Sequence, residues 1–487
     1  MLYNIIMLPT KTDHQLGMEF VCIEELVPQD HLLRKIDKVI DFEFILEKVK
    51  DLYCADNGRP AVDPVVLFKM LFIGYLFGIR SERQLIREIE VNLAYRWFIG
   101  IGLRGKIPDA STFSQNRRRR FTENTIYQEI FDEIVMQAMG KKLISGRFLY
   151  TDSTHLKASA NKNKFRKKQA KASTRGYLAD LEKAVNADRK AHGKKPLKPK
   201  KAESKTKEVK SSTTDPDSGY MVRDGKPKGF FYLDHRTVCG KYNLITDTHV
   251  TPANVHDSIP YLERLDRQRK RFGLATDAVG LDAGYMTAPL CKGLEDRDIY
   301  GVIGYRRPNH IQGRFYKRDY VYDPQENVYC CPHGQLLTYR TTNREGYRQY
   351  RSDPAICGPC PGRAQCTTNA KHIKSVTRHV WEKHKETVDS HRKTLVGKGI
   401  YARRKETVER SFADGKQLHG QRYIRMRGLL RAQEQCLLAA ACQNMKKMAL
   451  LLCRTDKNGG KGFLWAFGAY FKTLWRSIRF VQKLSWA

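Results

Sequence analysis

The sequence predicts an α/β fold: a mixed sheet with packed helices, preceded by an all-α N-terminal domain and carrying two insertions. Three observations predict it. Apolar residues recur at helical spacing over residues 20–145. From Phe148 onward, three strand-like runs follow one another and then alternate with helices. One lysine-rich and one cysteine-rich stretch interrupt that pattern.

The helical region comes first. Leu32, Leu33, Ile36, Val39 and Ile40 share one face of a helix. Asp63-Pro64 reads as a cap followed by proline in the first turn. Ser81 and Gln84 have capping-box spacing. Asp109 opens a further helix that ends in Arg117, Arg118, Arg119 and Arg120. A basic final helix suits DNA binding, and a solvated arginine face of a plain bundle suits it equally. The apolar run 65–79 contains Lys69, so it reads as a buried helix and not a membrane span.

Strands are expected at 148–154, 229–239, 242–254, 278–287 and 299–307, with helices at 256–273 and 288–298 between the later ones. Asp257 or Ser258 is the expected cap of the first of these helices. Two further helices are expected, over 399–420 and 431–452. The expected organisation is a helical domain at 1–145, a catalytic domain at 146–454 and an aromatic, basic tail at 455–487, with Gly459-Gly460 as hinge. The insertions fall at 160–228 and 308–398. Residues 161–210 hold 18 Lys and Arg against 5 Asp and Glu, so this arm is expected to be largely flexible, with a helical piece at 177–191.

Charge bounds the partners. The chain has 487 residues, 88 Lys and Arg and 52 Asp and Glu, a formal net charge of +36. An excess of that size points to a polyanion, nucleic acid before ribosomes or membrane surfaces. The N-terminus reads as no secretion signal, and no long uninterrupted apolar run suggests a membrane partner. A cytoplasmic, nucleoid-associated protein is expected.

Five of the twelve cysteines cluster: Cys330, Cys331, Cys357, Cys360 and Cys366. Cys357-x2-Cys360, with Cys366 and a distant Cys331, matches a closed four-thiolate Zn²⁺ site. Cys330 and His333 are replacement ligands, and metal-free packing or an iron–sulfur cluster are the competing readings. The remaining seven cysteines lie scattered in mostly apolar contexts and read as core.

Asp152 ends or interrupts a strand and Asp282 ends another, and ligand sites of open α/β sheets gather at strand carboxyl ends. Glu409 has Lys405 four residues before it and Lys416 seven after, all on one helical face. A metal ligand flanked by phosphate contacts and a surface salt-bridge ladder both have that pattern. Asp247 and His249 share a strand face, as a polar outer surface or as support for the carboxylates. Asp277 reads as a turn residue, and His155 as structural.

TDST on a first strand, LDAGY after a later one, and a helix containing VERSFADGKQLHG together resemble the DDE transposases of bacterial insertion sequences. That family has an RNase H-like catalytic domain. Its third motif is Tyr, Arg, Glu, Lys, with two residues between Tyr and Arg, three between Arg and Glu and six between Glu and Lys. Here Glu409 and Lys416 match, Lys405 has the Arg-to-Glu spacing, and Arg404 has the Tyr401-to-Arg spacing. The resemblance implies that Asp152, Asp282 and Glu409 bind two Mg²⁺ ions, or Mn²⁺, for DNA cleavage and strand transfer. It also implies phosphate contacts from Arg404, Lys405, Arg410 and Lys416, with Tyr401 in the same motif. The implied partners are double-stranded DNA of element ends and target, and a second copy in a synaptic dimer. A non-catalytic nucleic-acid-binding regulator and an RNase H-like nuclease without transposition are the alternatives.

Overall fold

The structure is a computed structural model that describes residues 19–54, 61–121, 125–171, 177–198, 206–222, 225, 227–306 and 311–455. The expected tail and its Gly459-Gly460 hinge lie outside the described residues, as do parts of the lysine-rich insertion.

The central sheet has five principal strands: β1 (Phe148–Lys157), β2 (Gly229–Cys239), β3 (Leu244–Pro252), β4 (Ala278–Leu281) and β5 (Tyr300–Ile303). Their spatial order is β3-β2-β1-β4-β5, and the short strand Gly219–Met221 also pairs with β2. β1 and β2 pair antiparallel across the lysine-rich insertion, and β2 and β3 pair antiparallel across a short turn. β4 and β5 then run parallel to β1. The helix Tyr261–Phe272 links β3 to β4, and Ala288–Glu295 links β4 to β5. This is the RNase H-like arrangement, as expected from the resemblance.

The N-terminal region is helical, but its boundary with the sheet is a change of secondary structure and not a gap in packing. Pro64–Leu76 is apolar all round, so ten of its thirteen residues are buried. Lys69, the one cation in that run, donates to Asp37 at 2.8 Å and lies over the rings of Phe42 and Phe98. One core contains Phe68 and Phe131 of this region, Leu149 and Val279 of the sheet, and Leu437 and Met445 of the long helix Leu429–Thr455. That long helix is the shared wall. Its stretch Leu429–Cys453 is long and apolar enough to cross a membrane, yet 67% of it is buried within the protein.

Local caps follow the sequence in part. The Asp63 carboxylate accepts from the Val65 N–H at 2.8 Å. Ser81 accepts from the Gln84 N–H, while the Gln84 side chain turns to Glu88 and leaves the box half made. Asp109 makes no side-chain cap bond. Neither Asp257 nor Ser258 caps the helix before β4, which begins at Tyr261 with Pro260 ahead of it.

Both insertions are folded where they are described. The cysteine-rich one is a five-stranded antiparallel sheet with its own core of Tyr320, Tyr329, Leu337, Tyr350 and Val376. The lysine-rich one contains the hairpin Phe165–Lys171 with Thr206–Ser212 and the helix Leu178–Ala191. The helical piece expected at 177–191 is present, and the strand pair was not expected. Leu181 and Val185 of that helix pack with Ala288 and Trp381, and Asp188 accepts from Arg348 and Thr342 of the second insertion. A sequence poor in apolar residues docks here because a partner surface far along the chain supplies the burial.

Candidate active site

Strand register builds the site. Thr151 of β1 pairs with Leu281 of β4 in a parallel ladder. The next residues, Asp152 and Asp282, therefore emerge together where β4 ends. The segment after β5 and its following insertion returns over this edge as the helix Leu395–Ala402, the wide turn Lys405–Glu409 and the helix Arg410–Leu418. It delivers Arg404 and Glu409 to the same point.

Arg404 is the common partner. Its Nη2 lies 2.7 Å from Asp152 Oδ2, and its Nη1 lies 3.5 Å from Asp282 Oδ1 and 4.0 Å from Glu409 Oε1. Nη1 also lies 3.3 Å from the Tyr401 hydroxyl. The Arg404 side chain is 4% exposed, whereas Asp282 and Glu409 are about half exposed. Burial pushes the Asp152 carboxyl up to about 6, against the pull of Arg404 and of the Ser153 N–H, with Asp282 and Asp257 adding repulsion. Burial disfavours the Arg404 charge, but the carboxylates more than offset it and hold its pKa above the ordinary arginine value.

The turn Lys405–Glu409 is a π-helical turn, with the Glu409 N–H bonded to the Arg404 carbonyl at 3.2 Å. Four residues separate Arg404 from Glu409, one more than in the motif that the sequence resembles. The π-turn absorbs that extra residue and keeps both side chains facing the strand ends. Arg404 therefore occupies the arginine position. Lys405 is exposed and makes no ion pair with the three carboxylates, which corrects its assignment by spacing.

Two glycines make room. A methyl group on Gly304 would stand 2.5 Å from the Tyr401 hydroxyl and 3.0 Å from the Ala283 N. One on Gly280 would stand 2.7 Å from the Tyr150 ring. Both contacts are too close for any other residue, so Gly304 lets Tyr401 reach Arg404.

Around this centre, Lys416 Nζ donates to Thr154 Oγ1 at 2.6 Å, on the same face of β1 as Asp152. Arg410 is exposed and pairs with Asp414 at 2.9 Å. Arg236, directly across the ladder from Asp152, is fully buried. It donates to Asp234 at 2.6 Å, to Gln421 at 2.9 Å and to Ser411 Oγ at 3.0 Å. It thereby ties the sheet to the helix that follows Glu409. Sequence reading missed Arg236 and Asp257. Ser153 Oγ donates to Asp257 Oδ1 at 2.8 Å, which turns this residue toward β1 and away from a helix cap. An alternation of Asp and Arg inside an otherwise apolar strand, LDHRTVC, was the available signal for Arg236.

Other predicted residues have separate places. Asp247 is buried against Arg264 at 2.9 Å, tying the sheet to the helix Tyr261–Phe272, and is not an outer polar face. Asp277 pairs with Arg147 at 2.6 Å. The four arginines of 117–120 diverge, because successive helical residues point about 100° apart. Arg117 pairs with Glu82 at 2.5 Å and lies 3.6 Å from Glu434, and Arg120 stacks over Tyr53. Both are partly buried in these contacts, so the four arginines do not form one exposed basic face. Arg118 and Arg119 are exposed.

Cys331, Cys357, Cys360 and Cys366 line one cavity of about 20 Å³ together with His333 and Tyr320. The Tyr320 hydroxyl lies 3.0 Å from Cys366 Sγ. The donor set is thiophilic, and the void is about the size of one small sphere. Among the described residues, no three His, Cys, Asp or Glu side chains already stand as a preformed metal cage. In the carboxylate cluster the common point is the Arg404 guanidinium, a monovalent cation among hard oxygen donors, and this donor set fits a hard divalent ion.

Two family models match the chain. Residues 21–119 match a transposase domain (DUF772), and residues 330–449 match a transposase DDE domain. The second match includes Glu409, Lys416 and the cysteine cluster. No curated protein matches significantly. Among solved structures, a piggyBac transposase synaptic complex with hairpin DNA aligns over 94% of this chain and 81% of that one, at 10% identity and a TM-score of 0.35. A Mos1 transposase paired-end complex with the left transposon end aligns over 51% and 62%, at 12% identity and a TM-score of 0.15.

Proposed function

Since this chain belongs to the DDE transposases, we propose that it binds the ends of its own DNA element as a synaptic dimer, cleaves the phosphodiester backbone there and joins the ends to a target. One observation carries this reading: Asp152 and Asp282 emerge side by side from a parallel ladder, and Glu409 meets them at a shared cation.

Asp152, Asp282 and Glu409 would hold the divalent ions, Mg²⁺ or Mn²⁺. Two such ions, when bound, activate the attacking oxygen and stabilise the leaving one. The chain's own residues prepare that chemistry. The Asp152 carboxylate is fixed by the Ser153 N–H, which donates to Oδ1 at 2.8 Å. Arg236 holds the helix after Glu409 against the sheet, so Glu409 is delivered at a constant distance. Arg404 offsets part of the cluster's negative charge and is long enough to turn toward a DNA phosphate. Lys416 and Arg410 flank the cluster for further phosphate contacts, which position the backbone without reading sequence.

The test is Asp152→Asn assayed on duplex DNA carrying the element's terminal repeats. Cleavage should vanish while binding stays within about threefold. Cleavage at the wild-type rate in this variant would overturn the assignment.

A further inference from the structure

Two adjoining cavities open beside the helical region, and none of the three carboxylates lines either of them. One, of about 340 Å³, is lined by Tyr75, Arg80, Arg83, Arg117 and Arg425 among others, and by Glu82, which is paired with Arg117. The other, of about 450 Å³, is lined by Arg118, Arg427 and Arg431 among others, and Arg117 and Met426 border both. Together they form a groove between the helix Ala110–Arg119 and the loop 420–428 that enters the long helix.

The arginines here divide into two groups. Arg117 and Arg431 are engaged with Glu434. Among the described residues, no carboxylate lies within ion-pair distance of Arg80, Arg83, Arg118, Arg425 or Arg427. Arg425 is the most informative. Its guanidinium lies 4.3 Å above the Tyr75 ring. Its Nε and Nη2 are shielded from solvent and have no hydrogen-bond partner. Stacking on Tyr75 fixes the guanidinium in the wall of the groove, where its charge attracts a phosphate held by the exposed arginines around it.

The groove is also joined to the strand that carries Asp152. The Lys157 N–H donates to the Arg422 carbonyl at 3.3 Å, and the Ile424 N–H to the Lys157 carbonyl at 2.9 Å. The loop that edges the groove is therefore fixed to the same strand as Asp152. Five residues of strand separate Asp152 from Lys157, about 16 Å. Duplex DNA covers that distance in roughly half a turn.

We infer that this groove is a DNA-backbone site, in which Arg425, flanked by Arg80, Arg118 and Arg427, grips phosphates of the same duplex that is engaged at the carboxylates. The inference rests on DNA being the substrate, as proposed above, and assigns the groove a role separate from catalysis.

The experiment measures binding of the full chain to a duplex with element ends, over a series of salt concentrations. The triple variant R80Q/R118Q/R427Q changes only exposed side chains, so its thermal melt should match wild type. Its affinity at moderate salt should fall about 10- to 100-fold, and its salt dependence should flatten by about 2 to 3 in log–log slope. R425Q alone should flatten the slope by about 1. Asp152→Asn should keep the wild-type slope. An unchanged slope and affinity in the folded triple variant overturn the groove assignment, even if cleavage of DNA is confirmed. A flattened slope in the triple variant, with no cleavage by the wild-type protein, upholds the groove and overturns the catalytic reading. Loss of binding to duplex RNA but not to DNA also overturns the inference.

Discussion

Arg404 Nη2 lies 2.7 Å from Asp152 Oδ2, and the same guanidinium faces Asp282 and Glu409. A monovalent cation thus sits where the three carboxylates converge. Arg404 and divalent ions compete for the same negative charge, so ion binding should be weak until DNA draws the arginine away.

Replacing Arg404 with Gln should therefore tighten Mn²⁺ binding by the DNA-free protein about tenfold, one unit of charge having been removed beside the ligands. Titration at pH 8, where Asp152 is ionised, followed by the resonance signal of free Mn²⁺, measures it. Unchanged or weaker binding would show that Arg404 supports the carboxylates and does not compete with ions.

The π-turn Lys405–Glu409 gives a second prediction. It holds one residue more than a regular helix would, and Glu406 is exposed within it. Deleting Glu406 should convert the turn to α-helix with Arg404 and Glu409 still facing the strand ends. The melting temperature should stay within about 3 °C of wild type, and DNA cleavage should fall less than about fivefold. By contrast, deleting Ala413 should shift Lys416 by about 100° and abolish its contact with Thr154. Loss of fold in the Glu406 deletion would refute the single-insertion reading.

Zinc is expected at Cys331, Cys357, Cys360 and Cys366. Protein purified without chelator should carry about one zinc per chain by elemental analysis, and Cys360→Ser should lower that content and destabilise the second sheet. Metal content well below one per chain, with an unchanged melt in the variant, counts against it.

Buried histidines set an acid limit. Burial lowers His235 to about 3, and lowers His249 and His419 to about 4. Cations reinforce this: Arg264 faces His235 and His249, Arg267 faces His249, and Lys446 and Arg236 face His419, against Asp234 near His249 and Asp414 near His419. The unfolded chain binds these protons near pH 6.5 and the folded one does not, so stability is full above pH 6.5 and falls as pH drops toward 4. Each histidine should cost on the order of 3 kcal/mol by pH 4. Urea midpoints measured between pH 7 and pH 4.5 should fall, and His419→Gln should reduce the fall. A flat profile would contradict it.

Sequence alone determined the kind of fold and two of its three acids with particular clarity. Strands and helices are local patterns of apolar spacing, so β1 to β5 and the helices between them were legible. Asp152 and Asp282 stood out because a carboxylate within or just after an apolar strand is locally anomalous; Asp282 follows the last residue of β4, whereas β1 runs on past Asp152 to Lys157. Glu409 was legible through its distance to Lys416, since helical spacing is also local. The choice between Arg404 and Lys405 was not, because a π-turn leaves no mark in composition and shifts the face by one residue. Only the tertiary structure decided it, by bringing residues 152, 282 and 404 to one point. The same holds for Arg236, whose partners Gln421 and Ser411 lie far along the chain, and for the docking of the lysine-rich insertion on the cysteine-rich one. Charge excess was plain in the sequence. Which arginines face acids and which face an open groove depends on neighbours that only folding supplies.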